Sequence, residues 1–299
     1  MSKDPLPMRG IVGFPLAPFR EDLSLDIKAL ERDVDELSRH PFCALNAPAG
    51  ISEVFSLSVD EAVEMVRTTV RVVAGRMPVI GCVCYSATVA CEMARRMEDA
   101  GAGALLVLPP YYAGAPFEGL IAYYRAVANS TGLPLAIYSR GWASFSAEEV
   151  DRLASEIPTL RFWKDGQADL RNLQRIRSRV GDRLVWIGGA GDDCAAGYAA
   201  IGLDVFTSSI SALAPALTMA WGDAALARDF PRLNGLLEEY VHPLFAIRTR
   251  RRGYEVTAMK EMAALLGRPV GEARPPLPPL GPSETADLQR VLESWRPFL

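Results

Sequence analysis

The chain has 299 residues, 49% of them hydrophobic, and a net charge of −4. No stretch of about 18 apolar residues offers a membrane span, and the acidic balance gives no electrostatic case for nucleic acid; the one basic run, Arg248-Thr249-Arg250-Arg251-Arg252, reads as a solvated helix face. Five cysteines without metal-ligand spacing read as buried apolar residues of a reducing compartment, and the N-terminus has no apolar signal core, so a soluble cytoplasmic protein is expected.

Arg9 to Phe14 is a first apolar run, closed by Pro15 and Pro18. Ile27, Leu30, Val34 and Leu37 then recur at helical spacing within Leu25 to His40. Cys43 to Pro48 is a second run, ending in the small-residue turn Ala49-Gly50-Ile51-Ser52-Glu53. Ser58-Val59-Asp60-Glu61 is a capping box opening a helix to about Val73. Further strands are predicted at Met77–Cys84, Ala104–Leu108, Leu133–Tyr138, Thr159–Trp163, Leu184–Ile187 and Asp204–Ser208, with helical patterns between them. Ser146 and Glu149 form a second capping box.

Eight strand–helix units imply a parallel sheet closed into a (β/α)8 TIM barrel, whose chemistry belongs at the C-terminal ends of the strands. An open doubly wound sheet would carry a Gly-x-Gly-x-x-Gly turn after a strand, and none is present. The barrel is expected over residues 8–225 and a C-terminal α-helical extension over 226–299. In that extension Leu236–Ile247, Val256–Leu266 and Asp287–Trp295 are helical, and Pro275-Pro276-Leu277-Pro278-Pro279 is a linker.

Only four of the 32 lysines and arginines are lysine: Lys3, Lys28, Lys164 and Lys260. Lys164 follows Phe162-Trp163 at the end of strand six. An amine desolvated among aromatics has its pKa lowered and becomes a nucleophile for carbonyl carbon, forming a Schiff base, which a guanidinium cannot do. The competing reading is a strand-end lysine facing solvent. Tyr138 ends the neighbouring strand, roughly 5 Å away in a parallel sheet, where a phenol can move protons beside an imine. Arg140 is suited to hold a substrate carboxylate by a forked pair of hydrogen bonds, the second carboxylate of a diacid in particular. Gly50, Ile51 and Ser52 offer backbone N–H groups to an anion. Gly189 leaves room for close approach, and Thr207, near the end of strand eight, completes the substrate-binding set.

These residues sit in motifs that resemble the dihydrodipicolinate synthase and N-acetylneuraminate lyase family of class I Schiff-base lyases. The motifs are Phe14-Pro15-Leu16-Ala17-Pro18-Phe19, Gly50-x-x-Glu53 with Leu57-Ser58, Pro109-Pro110-Tyr111-Tyr112, Tyr138, Lys164-Asp165, Gly191-Asp192-Asp193 and Arg274-Pro275-Pro276-Leu277. The resemblance implies a lysine imine with a 2-keto acid, often pyruvate, proton relay at Tyr138, a (β/α)8 barrel with C-terminal helices, and a homo-oligomer, tetramer or dimer. Tyr112, at the end of strand four, is expected to reach an active site, either that of its own subunit or, as the resemblance suggests, one across an interface. Tyr138-Ser139-Arg140, Phe162-Trp163-Lys164-Asp165-Gly166, Ile247-Arg248 and Gly253-Tyr254-Glu255-Val256 look most like the 5-dehydro-4-deoxyglucarate dehydratases within the group. Those enzymes dehydrate and decarboxylate an imine-bound sugar acid to 2,5-dioxopentanoate. The pattern departs at three places. The synthases carry two adjacent threonines where this chain has Gly50-Ile51, and the dehydratases share the glycine but keep the second threonine. Ser52 replaces a glycine, and Ala212 stands where much of the family has asparagine.

The expected function is therefore a lyase acting on a small-molecule 2-keto acid through Lys164, a sugar-acid dehydratase by resemblance. A pyruvate-dependent aldolase or synthase is the alternative enzyme, and a non-catalytic keto-acid-binding barrel the alternative class. No metal or organic cofactor is implied; His40 and His242, the only histidines, lie in separate helical patterns.

Overall fold

Strands buried on both faces are apolar over most of their length, and the eight runs of this chain are, with polar residues such as Asn46, Ser139 and Lys164 gathered at the C-terminal strand ends. In the computed structural model, which describes residues 8–268 and 270–299, they form eight parallel strands. These are β1 (Gly10–Gly13), β2 (Ala44–Asn46), β3 (Val79–Val83), β4 (Ala104–Val107), β5 (Leu135–Ser139), β6 (Leu160–Asp165), β7 (Val185–Gly188) and β8 (Val205–Thr207). Each pairs with the next and β8 closes on β1, so the barrel expected from the sequence is the one that forms. The register sets Tyr138 of β5 directly beside Lys164 of β6, and Lys164 beside Ile187 of β7.

The outer ring is α1 (Ile27–Leu37), α2 (Val59–Val73), α3 (Ala87–Asp99), α4 (Phe117–Ala128), α5 (Ala147–Glu156), α6 (Leu170–Val180), α7 (Ala195–Ala200) and α8 (Pro215–Ala227). Both expected capping boxes are present: Ser58 with Glu61 opens α2 and Ser146 with Glu149 opens α5. α8 has no apolar stripe to betray it, because it is apolar on most sides. It packs on the outside of β1, where Gly222 lies against Ile11. The division expected between residues 225 and 226 falls inside this helix.

Beyond it lie α9 (Phe230–Leu236), α10 (His242–Arg248), α11 (Tyr254–Leu265) and α12 (Pro282–Trp295). The sequence suggests one helix over Leu236–Ile247. The structure instead inserts a π-helical turn, Leu237–Val241, before α10. Pro243 supplies the reason: it has no N–H for the Glu239 carbonyl and its ring would clash there, so the turn widens. α12 starts earlier than its apolar pattern suggests, with Pro282 in its first turn, where a missing N–H costs nothing.

The C-terminal helices are tied to the barrel mouth by buried charge. The Lys260 ammonium of α11 lies 2.6 Å from the Glu53 carboxylate, with both side chains almost wholly inaccessible. Lys260 also donates to the Glu272 carbonyl (3.0 Å), and Glu53 accepts the Arg274 N–H (2.9 Å). Arg274 forks onto Glu61, and its guanidinium and the Lys260 ammonium lie 4.1 and 4.0 Å from the Phe19 ring centroid. Removing one member of such a pair leaves the other unpaired in a dry site. Glu53→Ala is expected to destabilise the protein by about 3–5 kcal/mol, read as a lowered urea midpoint. Glu53→Gln, which still accepts hydrogen bonds, should lose less.

Candidate active site

The C-terminal mouth of the barrel opens into a cavity of about 980 Å³ with Lys164 among its lining residues. The Lys164 side chain is only 7% exposed. Its Nζ lies 4.3 Å from the Tyr138 ring centroid and 5.1 Å from that of Phe14, and it makes no ion pair among the described residues. Burial, helped by the charge of Arg140, brings its pKa down from 10.5 to about 7. Such an amine is substantially neutral at physiological pH, which is the condition for nucleophilic attack.

Glycines make the space. A Cβ at Gly189 would come within 2.4 Å of Lys164 Cε and 2.6 Å of its Cγ, so only glycine lets the lysine stem lie along β7. A Cβ at Gly166 would meet Tyr138 Cε2 at 2.5 Å, and one at Gly188 would meet Tyr198 at 2.6 Å. Tyr198 in turn donates to the Asp165 carboxylate (2.6 Å), which also accepts the Ala168 N–H and so fixes the turn after β6.

The Tyr138 hydroxyl donates to the Gly189 carbonyl (2.8 Å). Burial pushes its pKa above the ordinary phenol value, so it rests as a proton donor. Thr207 donates to the Gly188 carbonyl (3.3 Å) and lines the same cavity.

The turn after β2 is more selective than its sequence suggests. Gly50 and Ile51 line the cavity, and neither amide is used in a hydrogen bond among the described residues, so both remain available to an anion. Ser52 is a correction. Its N–H bonds the Ala49 carbonyl (3.0 Å), its hydroxyl bonds the Pro15 carbonyl (2.6 Å), and it is fully buried outside the cavity. Its role is to fold the turn. Ala212 is likewise buried, and its carbonyl takes a hydrogen bond from Arg268.

Arg140 makes no ion pair among the described residues, and its Nη1 would stand 3.1 Å from a Cβ at Gly50. The guanidinium therefore lies against the backbone of the Gly50 turn. Tyr112 is 81% exposed and does not line the cavity of its own chain; Tyr111 does.

The basic run Arg248–Arg252 is corrected at one residue: Arg248 is only 9% exposed, whereas Thr249, Arg250, Arg251 and Arg252 are exposed as expected, Arg251 and Arg252 at the rim of the cavity that Arg248 also lines. Charge pattern alone could not single out Arg248, because it is the only residue of the run that belongs to α10.

A near-neutral amine packed against aromatic rings, with guanidiniums lining the same cavity, has a reaction open to it that an ordinary lysine lacks: addition to the carbonyl of an anionic keto acid. That chemistry, at the C-terminal end of a parallel barrel, defines a Schiff-base-forming lyase. The chain belongs to the dihydrodipicolinate synthetase family, whose profile matches residues 7–295. It is 36% identical over 287 residues to a probable 5-dehydro-4-deoxyglucarate dehydratase of Saccharopolyspora erythraea, covering 95% of this chain and 93% of that one. A protein of the same description from Rhizobium rhizogenes is also 36% identical over 287 residues, with 95% of each chain covered. Among solved structures, a putative dihydrodipicolinate synthetase from Pseudomonas aeruginosa superposes with a TM-score of 0.89 at 27% identity, covering 97% of this chain and 100% of that one. Dihydrodipicolinate synthase from Bacillus clausii superposes at 0.90 with 25% identity, covering 96% and 97%.

Two outcomes follow from the geometry. Borohydride trapping of pyruvate on Lys164, measured against pH by intact mass, should climb as pH rises through about 7 and then level, because the free amine accumulates above its pKa. Gly189→Ala should leave the circular dichroism unchanged and slow trapping roughly 100-fold, the usual consequence of an ångström-scale misplacement.

Proposed function

We propose that the protein is a hydro-lyase that dehydrates and decarboxylates a dianionic, sugar-derived 2-keto acid of the 5-dehydro-4-deoxyglucarate type. The observation that carries the reading is that Lys164, unpaired and near neutral, shares its cavity with Arg140 and Arg248, two guanidiniums without an ion pair among the described residues, while the carboxylates that also line it include Glu53, tied to Lys260, and Asp192, held by Ser208 and Ser209. A monoanion such as pyruvate would use only one of the two guanidiniums. The dehydratase descriptions of the relatives at 36% identity support the same substrate class.

In this reading the amides of Gly50 and Ile51, with Arg140, take the carboxylate beside the keto group. Lys164 Nζ adds to the keto carbon, and Tyr138 supplies the proton that lets the carbinolamine oxygen leave as water. The resulting iminium acidifies the adjacent C–H. Loss of that proton gives an enamine, which expels the hydroxyl beta to the imine carbon. Tyr138, now a phenolate beside the iminium charge, is placed to collect the carbon-bound proton and return it to the departing hydroxide. Net, the substrate loses one water before its far carboxylate leaves as carbon dioxide.

The reading includes a homo-oligomer. Tyr111 and Tyr112 are 91% and 81% exposed on the loop after β4, an apolar burden suited to contact with another copy, where Tyr112 would reach that copy's mouth. It also includes the cytoplasm, on five unpaired thiols. Among the described residues no helix is long and apolar enough to cross a membrane.

The test is incubation with 5-dehydro-4-deoxyglucarate. Release of carbon dioxide with 2,5-dioxopentanoate supports the reading; release of pyruvate assigns the chain to the aldolases; absence of any adduct on Lys164 after borohydride assigns it to keto-acid binders. Lys164→Arg should abolish turnover. Tyr138→Phe should lower it by roughly 10²–10⁴-fold while trapping persists at a reduced rate.

A further inference from the structure

Arg248 is the one cation of the mouth that is both buried and underused. It lies at the end of α10, which is held over the loop after β7: a Cβ on Gly191 would meet Phe245 Cε1 at 2.9 Å. Phe245 packs beneath the guanidinium, 4.6 Å from ring centroid to Cζ. Of its five N–H groups one is used, donated by Nη1 to the Ser209 hydroxyl (2.7 Å). Nε is buried with no acceptor. Three carboxylates lie in the neighbourhood, those of Asp192, Asp193 and Glu255, but none forms an ion pair with it. Asp192 is held instead by the hydroxyls of Ser208 (2.5 Å) and Ser209 (2.7 Å) and by the Ser209 N–H. Glu255 accepts the Gly253 N–H (2.7 Å).

A buried guanidinium without a carboxylate retains a strong demand for one. Its packing on Phe245 and its bond to Ser209 hold its plane in place, so it needs little reorganisation to meet a ligand. It also contacts the loops after β7 and β8, whereas Arg140 reaches from the end of β5 to the turn after β2, where the Gly50 and Ile51 amides are free.

We propose that Arg248, oriented by Ser209, is the specificity-determining residue that binds the far carboxylate of a six-carbon 2-keto diacid whose keto carbon is joined to Lys164. This rests on the functional reading above and adds to it which residue selects a diacid. It also fixes what kind of contribution Arg248 makes. The far carboxylate is the one that departs as carbon dioxide, and negative charge drains from it as the bond breaks. The contact is therefore strongest in the bound substrate and weakest in the transition state of decarboxylation. Arg248 binds and selects; it does not accelerate that step.

The experiment needs no turnover. Borohydride trapping on Lys164 is measured with 2-oxoadipate and with 2-oxohexanoate, which share a chain length and differ in the second carboxylate, and with pyruvate as a check on the amine. The wild type should trap 2-oxoadipate at concentrations roughly 10- to 100-fold lower than 2-oxohexanoate, the range for one charge-assisted contact. Arg248→Gln should erase that preference while pyruvate is still trapped. Ser209→Ala, a smaller change for use should Arg248→Gln fail to fold, should reduce the preference without erasing it. Equal trapping of the two acids by the wild type, or a preference that survives in Arg248→Gln, overturns the proposal and leaves the Schiff-base reading standing. Failure of the wild type to trap any of the three acids overturns both.

Discussion

An ammonium ion in a dry pocket with no carboxylate in reach is less stable than the neutral amine, and Lys164 is placed in that position by its neighbours. Phe14 and Tyr138 remove water from it, Arg140 repels its proton, and Gly189 provides the only channel along which its stem can lie. Each of these features stabilises little by itself. Together they require β5, β6 and β7 to run in a fixed register, since a slip of one residue would turn the Lys164 side chain to the other face of the sheet. The barrel's closure is thus the condition for the amine's reactivity.

The chain contains a second buried lysine, and the contrast shows how environment rather than residue type sets the outcome. Lys260 has Glu53 at 2.6 Å and the Glu272 carbonyl at 3.0 Å, and it serves as a fastener. Lys164 has aromatic faces and a cationic neighbour, and its amine is left unpaired with a lowered pKa. The mouth repeats this division among its arginines. Arg274 is saturated by Glu61 and two backbone carbonyls, whereas Arg140 and Arg248 have no carboxylate partner among the described residues.

Much of this was legible in the sequence, and for identifiable reasons. Apolar runs at strand length, alternating with helical spacing and two capping boxes, specify the barrel locally, so Tyr138 and Lys164 could be placed side by side from strand order alone. Ser52 was misread because a turn's sequence does not say which of its amides point inward; the Ala49 carbonyl takes that one. Arg248, alone of its run, was misread because the contact that buries it joins residues far apart in the chain, α10 to the loops after β7 and β8. Local charge density resembles a solvated face whether or not another element covers it. α8 offers no periodicity to detect for a different reason: its half-buried and exposed positions, such as Ala216, Met219, Leu226 and Ala227, are apolar like its buried ones.

The Glu53–Lys260 pair has a consequence for biosynthesis. The turn that carries the free Gly50 and Ile51 amides is finished by Glu53, which sits in a left-handed conformation (φ +54) with its carboxylate fully enclosed. The groups that neutralise and hold that carboxylate, Lys260 and the Arg274 N–H, leave the ribosome more than two hundred residues after it. The helices that fasten the turn are thus the last part of the chain to be made, so an unfinished polypeptide holds the Gly50–Ile51 turn with a buried carboxylate that nothing yet neutralises.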